Sequence, residues 1–455
     1  MNKIFFFSLA LLSLFSCKNR NTPNLPESQL QELMNKIATS PAFVMPDSSY
    51  VPPSGARHTE IRTIDPAAPP EIIDIVGNLN NKKAFKLSDF ASEIKYIFFQ
   101  PPPDLIVDVA LPRGGGSQIA SDDEHIFIIT QEGLFCYSSE GQYLYTVVAI
   151  QTEDGSGIYF STNIDLWGGN LIFRTYDISS GFRLNVFDIK DLDAQMRFIT
   201  QPDELKNFNP QPTYQRRIDN RNIRFVPFLL MDDQNLFIGN TLIGVTVYGD
   251  TLCKFSDHGA PTVRGRQGFL SNTYRINGQV MFLKGHNDTV FRVIPPNRLA
   301  PAYVLQWGKY KPDVNKYAYG GDYDGKLIFG GWVETPHFIF INYTEGSGSL
   351  DLRREGKAKD CWAIYNKTAK TLTHHLTDKS ALVENFTIHP MFENDIDAVG
   401  MPFYPTGVNH RDEMYMTFTK ERVKNLIASG LFQNDKLQAI YDDMPEGGFC
   451  LMIVK

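Results

Sequence analysis

The densest group of side chains that could do chemistry is Asn394-Asp395-Ile396-Asp397. Two carboxylates and an amide on one loop are oxygen donors of the kind that hold Ca²⁺ or a polar ligand. The segment is not an EF-hand, because no glutamate stands at the twelfth position. Asn and Asp also cap turns through their own backbone. Asn394, Asp395 and Asp397 are therefore candidate ligand-binding residues, and turn capping is the structural alternative.

A basic cluster consists of Arg216, Arg217, Arg221 and Arg224. Guanidinium groups bind carboxylates and phosphates through paired hydrogen bonds, which suits an anionic glycan or a lipid head group. The alternative is a solvated insertion with local ion pairs, because exposed pairs are common and weak. Arg216 and Arg217 are the second set of candidate ligand-binding residues.

The histidines form no recognisable catalytic or metal-binding motif. There is no His-Glu-x-x-His zinc sequence and no Gly-x-Ser-x-Gly nucleophile turn. His374 and His375 are adjacent, and on a strand their rings point to opposite faces. The other histidines are scattered along the chain. The sequence therefore predicts no metal site and assigns no catalytic residue.

The cysteines beyond the first twenty residues are too widely spaced for a compact zinc site. Each lies in an apolar segment, where a thiol behaves as a small buried hydrophobe. We expect these thiols to be free and buried, although export would permit disulfides. They are Cys136, Cys253, Cys361 and Cys450.

The overall charge argues against one class of partner. The formal net charge is −7 at pH 7, and 42% of the residues are hydrophobic and 13% aromatic. This is the composition of a globular protein. Because an acidic chain repels polyanions, we expect no nucleic-acid partner.

The first residues form an export signal. Lys3 precedes an apolar run, Ile4 to Phe15, that is too short to span a bilayer comfortably. Leu14-Phe15-Ser16-Cys17 resembles the bacterial lipobox, in which cleavage leaves a lipidated cysteine as the new N-terminus. We expect a signal peptide over residues 1–16 and a lipid anchor on Cys17 that holds the protein at a membrane. An ordinary signal with an incidental cysteine is the alternative.

The residues after the anchor bear on location and reach. Lys18-Asn19-Arg20-Asn21 holds no acidic residue. By analogy with lipoprotein sorting in Gram-negative bacteria, this favours the outer membrane, and its periplasmic face over the cell surface. Residues 17–80 are rich in Pro, Ser, Thr and Asn, which is typical of a tether. One short amphipathic helix is predicted within the tether, beginning at Ser28.

A polar turn followed by a short apolar-aromatic strand recurs six times after residue 85. Three of the intervals between these strands are 44 to 47 residues, which matches a four-stranded propeller blade. The predicted fold is all-β, a six-bladed β-propeller over residues 81–455. The copies begin at Asp122, Gly168, Asp232, Asn277, Asp324 and Arg411.

The two ends of this region predict how the ring closes. A propeller must join its first and last blades to remove exposed sheet edges. The apolar strand in residues 448–455 and the strand Ile94–Phe99 are expected to share the final blade. Two short helices, Lys420–Ser429 and Asn434–Met444, are expected to interrupt that blade, because Gly430 and Pro445 stop them.

Three groups of segments carry a resemblance to a known family: Phe85–Phe90 with Glu93–Ile97, Asn287–Val293 with Pro301–Leu305 and Gly308–Tyr310, and Glu393–Asp397 with Pro402–Pro405. Together they resemble the six-bladed β-propeller lipoproteins common in Bacteroidetes, which are largely domains of unknown function. The resemblance covers roughly residues 72–455, and it implies a propeller behind a lipobox but no reaction. One difference is Ala398-Val399-Gly400, where the family often has two glycines.

The function expected from the sequence is that of a lipid-anchored, non-enzymatic binding or scaffold propeller of the bacterial cell envelope. It would engage a cell-envelope protein or a glycan-related ligand on a loop face, because loops carry specificity while blades carry stability. No cofactor is expected. The alternative, by fold analogy only, is a metal-dependent hydrolase or lyase with a Ca²⁺-type site in the propeller tunnel.

Overall fold

A computed structural model describes much of the chain from residue 69 to residue 455. The signal, the lipobox, most of the tether and the predicted N-terminal helix lie outside the described residues. The described ranges are 69–99, 119–130, 133–149, 158–167, 169–177, 181–197, 214–217, 223–226, 229–231, 242–245, 251–255, 272–277, 279–283, 288–294, 298–312, 325–346, 359–376, 381–383, 386–388, 391–432 and 434–455.

The described residues are mostly β-strands, with few helices. The strands are β1 (Glu71–Asp74), β2 (Lys82–Lys83), β3 (Ile94–Phe99), β4 (Ile119–Ser121), β5 (His125–Ile129), β6 (Gly133–Ser138), β7 (Tyr143–Ala149), β8 (Ile158–Trp167), β9 (Asn170–Asp177), β10 (Gly181–Asp188), β11 (Tyr214–Arg217), β12 (Ile223–Val226), β13 (Leu229–Met231), β14 (Leu242–Val245), β15 (Thr251–Phe255), β16 (Asn272–Ile276), β17 (Gln279–Leu283), β18 (Thr289–Ile294), β19 (Arg298–Gln306), β20 (Leu327–Glu334), β21 (Phe338–Glu345), β22 (Lys359–Asn366), β23 (Thr371–His375), β24 (Ala381–Val383), β25 (Phe386–Ile388), β26 (Gly407–Val408), β27 (Met414–Thr419) and β28 (Phe449–Val454). The helices are α1 (Ile189–Arg197), α2 (Lys420–Ser429) and α3 (Asn434–Asp443), with 3₁₀ turns at Leu87–Asp89 and Gly308–Tyr310.

Five sheets have the strand order of propeller blades. Blade I is β4–β7, blade II is β8–β11, blade III is β16–β19, blade IV is β20–β23, and blade V joins β26, β27 and β28 to β3. Their strands pair antiparallel in succession. Two-stranded β24–β25 stands apart from them.

The predicted count of six blades is wrong for the residues that the structure describes. Between blades II and III lies a sheet with the order β13-β12-β14-β15, in which β12 and β14 run parallel. A parallel pair cannot be closed by a tight turn, so this sheet is not a meander. The copy of the repeat that begins at Asp232 lies outside the described residues.

The sheets follow one another around a ring in a β-propeller arrangement. Buried side chains pack blade I on blade II, blade III on blade IV, blade IV on blade V and blade V on blade I. At one end of each sheet the strands contact their counterparts: β4 contacts β8, β13 contacts β8 and β16, and β20 contacts β26. We call these the inner strands, because they face the centre of the ring.

Blade V closes the ring as predicted. β28 pairs antiparallel with β27 on one side and with β3 on the other, with Phe449 opposite Phe99 and Val454 opposite Ile94. The rings of Phe99 and Phe449 stack with centroids 4.6 Å apart, and Tyr137 of blade I packs edge-on at 4.9 Å from Phe99. Apolar burial therefore holds both the closing blade and its joint to blade I.

Residues 71–90 run along the outer edges of three blades. β1 pairs parallel with β19 of blade III, and β2 pairs parallel with β23 of blade IV. The backbone N–H of Leu87 then donates to the Glu393 carbonyl, 2.9 Å away, beside blade V. Residues 71–80, which the sequence assigns to the tether, thus contain a fifth strand of blade III.

The helices in the last blade agree with the sequence. The Thr419 side chain accepts a hydrogen bond from the Arg422 backbone at the start of α2, and Gly430 ends it at φ 66°. α3 ends at Asp443, shortly before Pro445. α1, which follows blade II's third strand, is not predicted by the sequence. Among the described residues, no helix is both long and apolar enough to cross a membrane.

Candidate functional site

The turns that follow the inner strands lie on one side of the ring, which we call the turn face. Strands in a meander alternate in direction, so the turns after the inner strands and after the third strands share a face. In blades I, II, III and V the sequence repeat places its polar turn here, before the second strand. In blade IV the copy of the sequence repeat precedes the inner strand β20, so it is shifted by one strand relative to the copies in the other blades.

A buried carboxylate, Glu334, joins blades III and IV at this face. Its side chain is 1% exposed and lies at the end of β20. It accepts hydrogen bonds from Tyr274 at 2.7 Å, Tyr303 at 2.8 Å and the Lys367 ammonium at 2.8 Å. Burial, then the Glu334 charge, raises the pKa of both tyrosines, so they remain neutral donors. Three donors, one of them charged, therefore converge on one buried carboxylate.

Asp412 extends this network to blade V. It lies in the β26–β27 turn at φ 59°, and its carboxylate accepts a hydrogen bond from the Asn277 backbone in blade III. Burial raises the pKa of Asp412, while Asn277 and the nearby Lys367 charge oppose the rise. Turns from blades III and V therefore meet over the end of blade IV.

A charged pair spans the inner strands of blades II and III. Both carboxylate oxygens of Asp165 on β8 accept hydrogen bonds from the Arg275 guanidinium on β16. The two side chains are 17% and 18% exposed. A planar guanidinium that engages two oxygens fixes direction as well as distance, so this pair orients two blades relative to each other.

A hydroxyl, an imidazole and a carboxylate lie in series where blades V and I meet. Ser121 Oγ on β4 is 2.9 Å from His410 Nδ1, and His410 Nε2 is 3.2 Å from Asp123 Oδ1. Arg411 donates to the same carboxylate from Nε at 3.1 Å and also from a terminal nitrogen. The hydrogen bonds from Arg411, then from His410, hold the pKa of Asp123 below its ordinary value. Sequence reasoning missed this group because His410 lies 289 residues from Ser121.

The acidic loop, residues 394–397, is hydrogen-bonded to other residues of the protein. Asp395 accepts hydrogen bonds from the Ser88 backbone at 3.0 Å and the Ser88 hydroxyl at 2.7 Å. Asn394 donates to Asp397 Oδ1 at 2.9 Å and accepts from the Ile396 backbone at 3.1 Å. The Asn394 contacts are the turn-capping contacts of the structural alternative, whereas the Asp395 contacts fasten Ser88 to this loop. Ligand binding by Asn394, Asp395 and Asp397 stays a prediction.

The basic residues lie elsewhere in the ring. Arg216 and Arg217 are on β11, the outermost strand of blade II, opposite Leu184 and Arg183 of β10. Their side chains are outside the described part of the structure, so their role stays a prediction. β11 is an outer strand of blade II, whereas the acidic loop contacts Ser88 and Tyr96 near the start of the described chain.

The predicted opposite orientation of the two adjacent histidines is confirmed. The expectation of free, buried thiols holds for two cysteines, while the side chain of Cys253 lies outside the described residues. His374 bonds Tyr343 at 2.8 Å, whereas His375 accepts from the Phe85 backbone at 3.1 Å on the opposite face. The thiols of Cys136 and Cys450 are free and buried, and that of Cys361 is free and partly buried. Within the described ranges no three His, Cys, Asp or Glu side chains are grouped to hold a metal ion. The metal-dependent alternative therefore gains no support from these residues.

Comparison with protein families decides where the chain belongs. A family described as "Domain of unknown function (DUF4933)" matches residues 53–224 and 232–429, well over half of the chain. The chain belongs to this family. The expected membership of a family of unknown function is confirmed, whereas lipid attachment stays a prediction. Membership of DUF4933 brings no reaction with it. No curated protein matches the chain.

Solved structures resemble the DUF4933 chain only distantly. A presumed exported protein of Bacteroides fragilis has 13% identity and a TM-score of 0.47, covering 84% of this chain and 99% of that one. A member of the DUF4221 family from Bacteroides vulgatus has 8% identity and a TM-score of 0.29, covering 76% and 78%. A streptogramin B lyase has 9% identity and a TM-score of 0.30, covering 80% and 98%. None of these likenesses carries an argument about function.

Proposed function

We propose that this protein is a lipid-anchored propeller of the bacterial cell envelope that binds a protein or glycan-related ligand on the face opposite the turn face. The lipobox-like sequence ending at Cys17 supports the anchor, and residues 18–68 supply a tether. The absence of acidic residues in 18–21 favours the periplasmic side of the outer membrane.

The difference between the two faces carries this proposal. On the turn face the inner strands of the five blades end in connections of two to five residues. Polar contacts such as Glu334 with Lys367 and Asp165 with Arg275 tie these ends together. We call the opposite face the loop face. Three long connections leave from it, formed by residues 100–118, 346–358 and 420–448. The exception is the β10–β11 connection of blade II, which contains α1 and leaves from the turn face. A rigid ring that carries most of its long connections on one side suits recognition there.

Site-specific photo-crosslinking in cells tests the binding face. A photo-reactive amino acid replaces Lys424 on α2, whose side chain is 63% exposed on the loop face. The matched control replaces Glu140, an exposed residue in the β6–β7 turn on the turn face. We expect a discrete adduct, to a protein or to cell-wall glycan, from position 424 and none from position 140. Equal labelling from both positions, or none from position 424, contradicts binding on the loop face.

The anchor is tested separately with Cys17→Ser. We expect the wild-type protein in the membrane fraction with an acyl mass increase on its N-terminal peptide. The variant should lose both properties, because signal processing and acylation need the thiol. A Cys17→Ser protein that fractionates and processes like wild type contradicts the lipoprotein assignment while leaving the binding test intact.

A further inference from the structure

The group at the joint of blades V and I has the order of a serine nucleophile system. Ser121 lies at the end of β4, and Asp123 follows it in the β4–β5 turn. His410 and Arg411 come from the β26–β27 turn of the neighbouring blade. The imidazole thus has the hydroxyl on one nitrogen, at 2.9 Å, and the carboxylate on the other, at 3.2 Å. Both distances are within the reach required of a base and its orienting group.

The carboxylate decides which ring nitrogen can act as a base. Asp123 is ionised, because the Arg411 guanidinium donates to it from two nitrogens, and an ionised carboxylate only accepts hydrogen bonds. His410 must therefore carry its proton on Nε2, which leaves the lone pair of Nδ1 to accept the Ser121 hydroxyl proton. Compared with the usual arrangement the two ring nitrogens exchange roles, but the order of donors and acceptors is the same.

We propose that Ser121 is an activated nucleophile, that His410 is its general base, and that together they transfer an acyl group from a small ester. In the first step Ser121 Oγ bonds to the ester carbonyl carbon while its proton moves to His410 Nδ1. The carbon–oxygen bond to the alcohol then breaks, and the alcohol leaves with that proton. Water repeats the two steps on the acyl-serine and releases the carboxylic acid, so no other reactant is needed.

The surroundings of the group allow a substrate to reach it. The His410 side chain is 31% exposed and the Arg411 side chain 53% exposed. Arg411 bonds the same Asp123 oxygen as His410, which keeps a positive charge close to the imidazole. That charge orients the carboxylate.

A purely structural role does not account for the arrangement. Blades V and I are already joined by Phe99, Tyr137 and Phe449. The Arg411–Asp123 pair is exposed, and exposed ion pairs contribute little to stability. Neither observation explains why a serine hydroxyl occupies the free nitrogen of an imidazole that a carboxylate orients.

Covalent labelling of the purified mature protein with a fluorophosphonate probe tests the proposal. Ser139 is the matched control, because it lies in an exposed turn of blade I and bonds Glu140 at 2.8 Å. Peptide mass mapping should find the adduct on Ser121 and not on Ser139, and Ser121→Ala should abolish it. His410→Gln should slow the labelling about 100-fold, the usual contribution of a general base.

Turnover of p-nitrophenyl acetate gives a second readout. Wild type should hydrolyse it with Ser121-dependent kinetics, and Ser139→Ala should behave like wild type. Circular dichroism and urea midpoints of each variant exclude unfolding as the cause of a loss. Equal labelling of Ser121 and Ser139, no Ser121 adduct, or labelling that is unchanged in His410→Gln each overturn the proposal. None of these outcomes bears on binding at the loop face, which Lys424 reports independently.

Discussion

Removing the Lys367 ammonium should destabilise the protein more than any single exposed charge can. The Lys367→Met variant leaves the Glu334 carboxylate, 1% exposed, with only its two tyrosine donors. Breaking a buried ion pair by deleting one partner costs about 3–5 kcal/mol, because the remaining charge is desolvated and uncompensated. We therefore expect Lys367→Met to lower the free energy of unfolding by about 3–5 kcal/mol.

Tyr303→Phe tests the same site without changing charge. It removes one hydrogen bond to an ionised acceptor, for which we expect a loss of about 1.5–3 kcal/mol. Tyr143→Phe is the matched control, because the Tyr143 hydroxyl bonds the neutral Thr146 hydroxyl at 2.8 Å. That change should cost about 0.5–1.5 kcal/mol.

Urea unfolding followed by tryptophan fluorescence is the assay. Trp332 reports locally, since its ring centroid lies 5.6 Å from that of Tyr303. The double variant Glu334→Leu with Lys367→Met should recover part of the loss, because it removes both buried charges. A Lys367→Met variant that loses less than about 1 kcal/mol, or a Tyr303→Phe variant no weaker than Tyr143→Phe, refutes the view that a buried ionised Glu334 ties blade III to blade IV.

Three further predictions concern histidines and glycines at the joints between blades. Burial lowers the pKa of His375, so the imidazole binds a proton more readily in the unfolded state, and stability should fall as pH drops below about 6.5. Between pH 7.5 and pH 5.5, His375→Asn should therefore lose less unfolding free energy than wild type. Hydrogen bonding to a carboxylate raises the pKa of His125, so the stability that this residue contributes is full below about pH 6.5 and is lost as pH rises through the folded-state pKa. The difference in unfolding free energy between wild type and His125→Gln should therefore shrink from pH 5.5 to pH 8.5. A difference that stays constant argues against the raised pKa. A Cβ added at Gly141, where φ is +88°, would lie 2.5 Å from a backbone oxygen of β3, so Gly141→Ala should lower the free energy of unfolding by about 2–4 kcal/mol in urea. The control is Gly169→Ala, which should cost about 1–2 kcal/mol, because φ is also positive there but the space around it is open. Similar losses for the two variants count against a tight joint between blades V and I.

Local sequence signals predict several elements correctly. Gly430 and Pro445 delimit α2 and α3, because a left-handed residue and a missing N–H end helices wherever they occur. The apolar strands Ile94–Phe99 and Phe449–Val454 are recognised as closing partners, because a ring of sheets must pair the strands from its two chain ends to remove an exposed edge.

The same local signals fail where several strands could follow a similar turn. Asp324-Gly325 resembles the polar turns of other blades, yet it precedes inner strand β20 and not the second strand of blade IV. The residues of a turn indicate that the chain reverses direction, but they do not indicate which position the next strand takes in its sheet. The parallel pairing of β12 with β14 is a tertiary outcome of the same kind.

The candidate site shows most clearly which features follow from the sequence and which follow from the tertiary structure. The sequence by itself determines an acidic, all-β chain with turn-rich repeats and a self-closing final blade, because these depend on residues near one another or on strong apolar periodicity. Only the tertiary structure decides that Ser121, Asp123 and His410 meet, and that Glu334 receives two tyrosines and a lysine. Such meetings depend on the rotation of each blade relative to the next, and that rotation is set by the packing of the whole ring and not by any local segment.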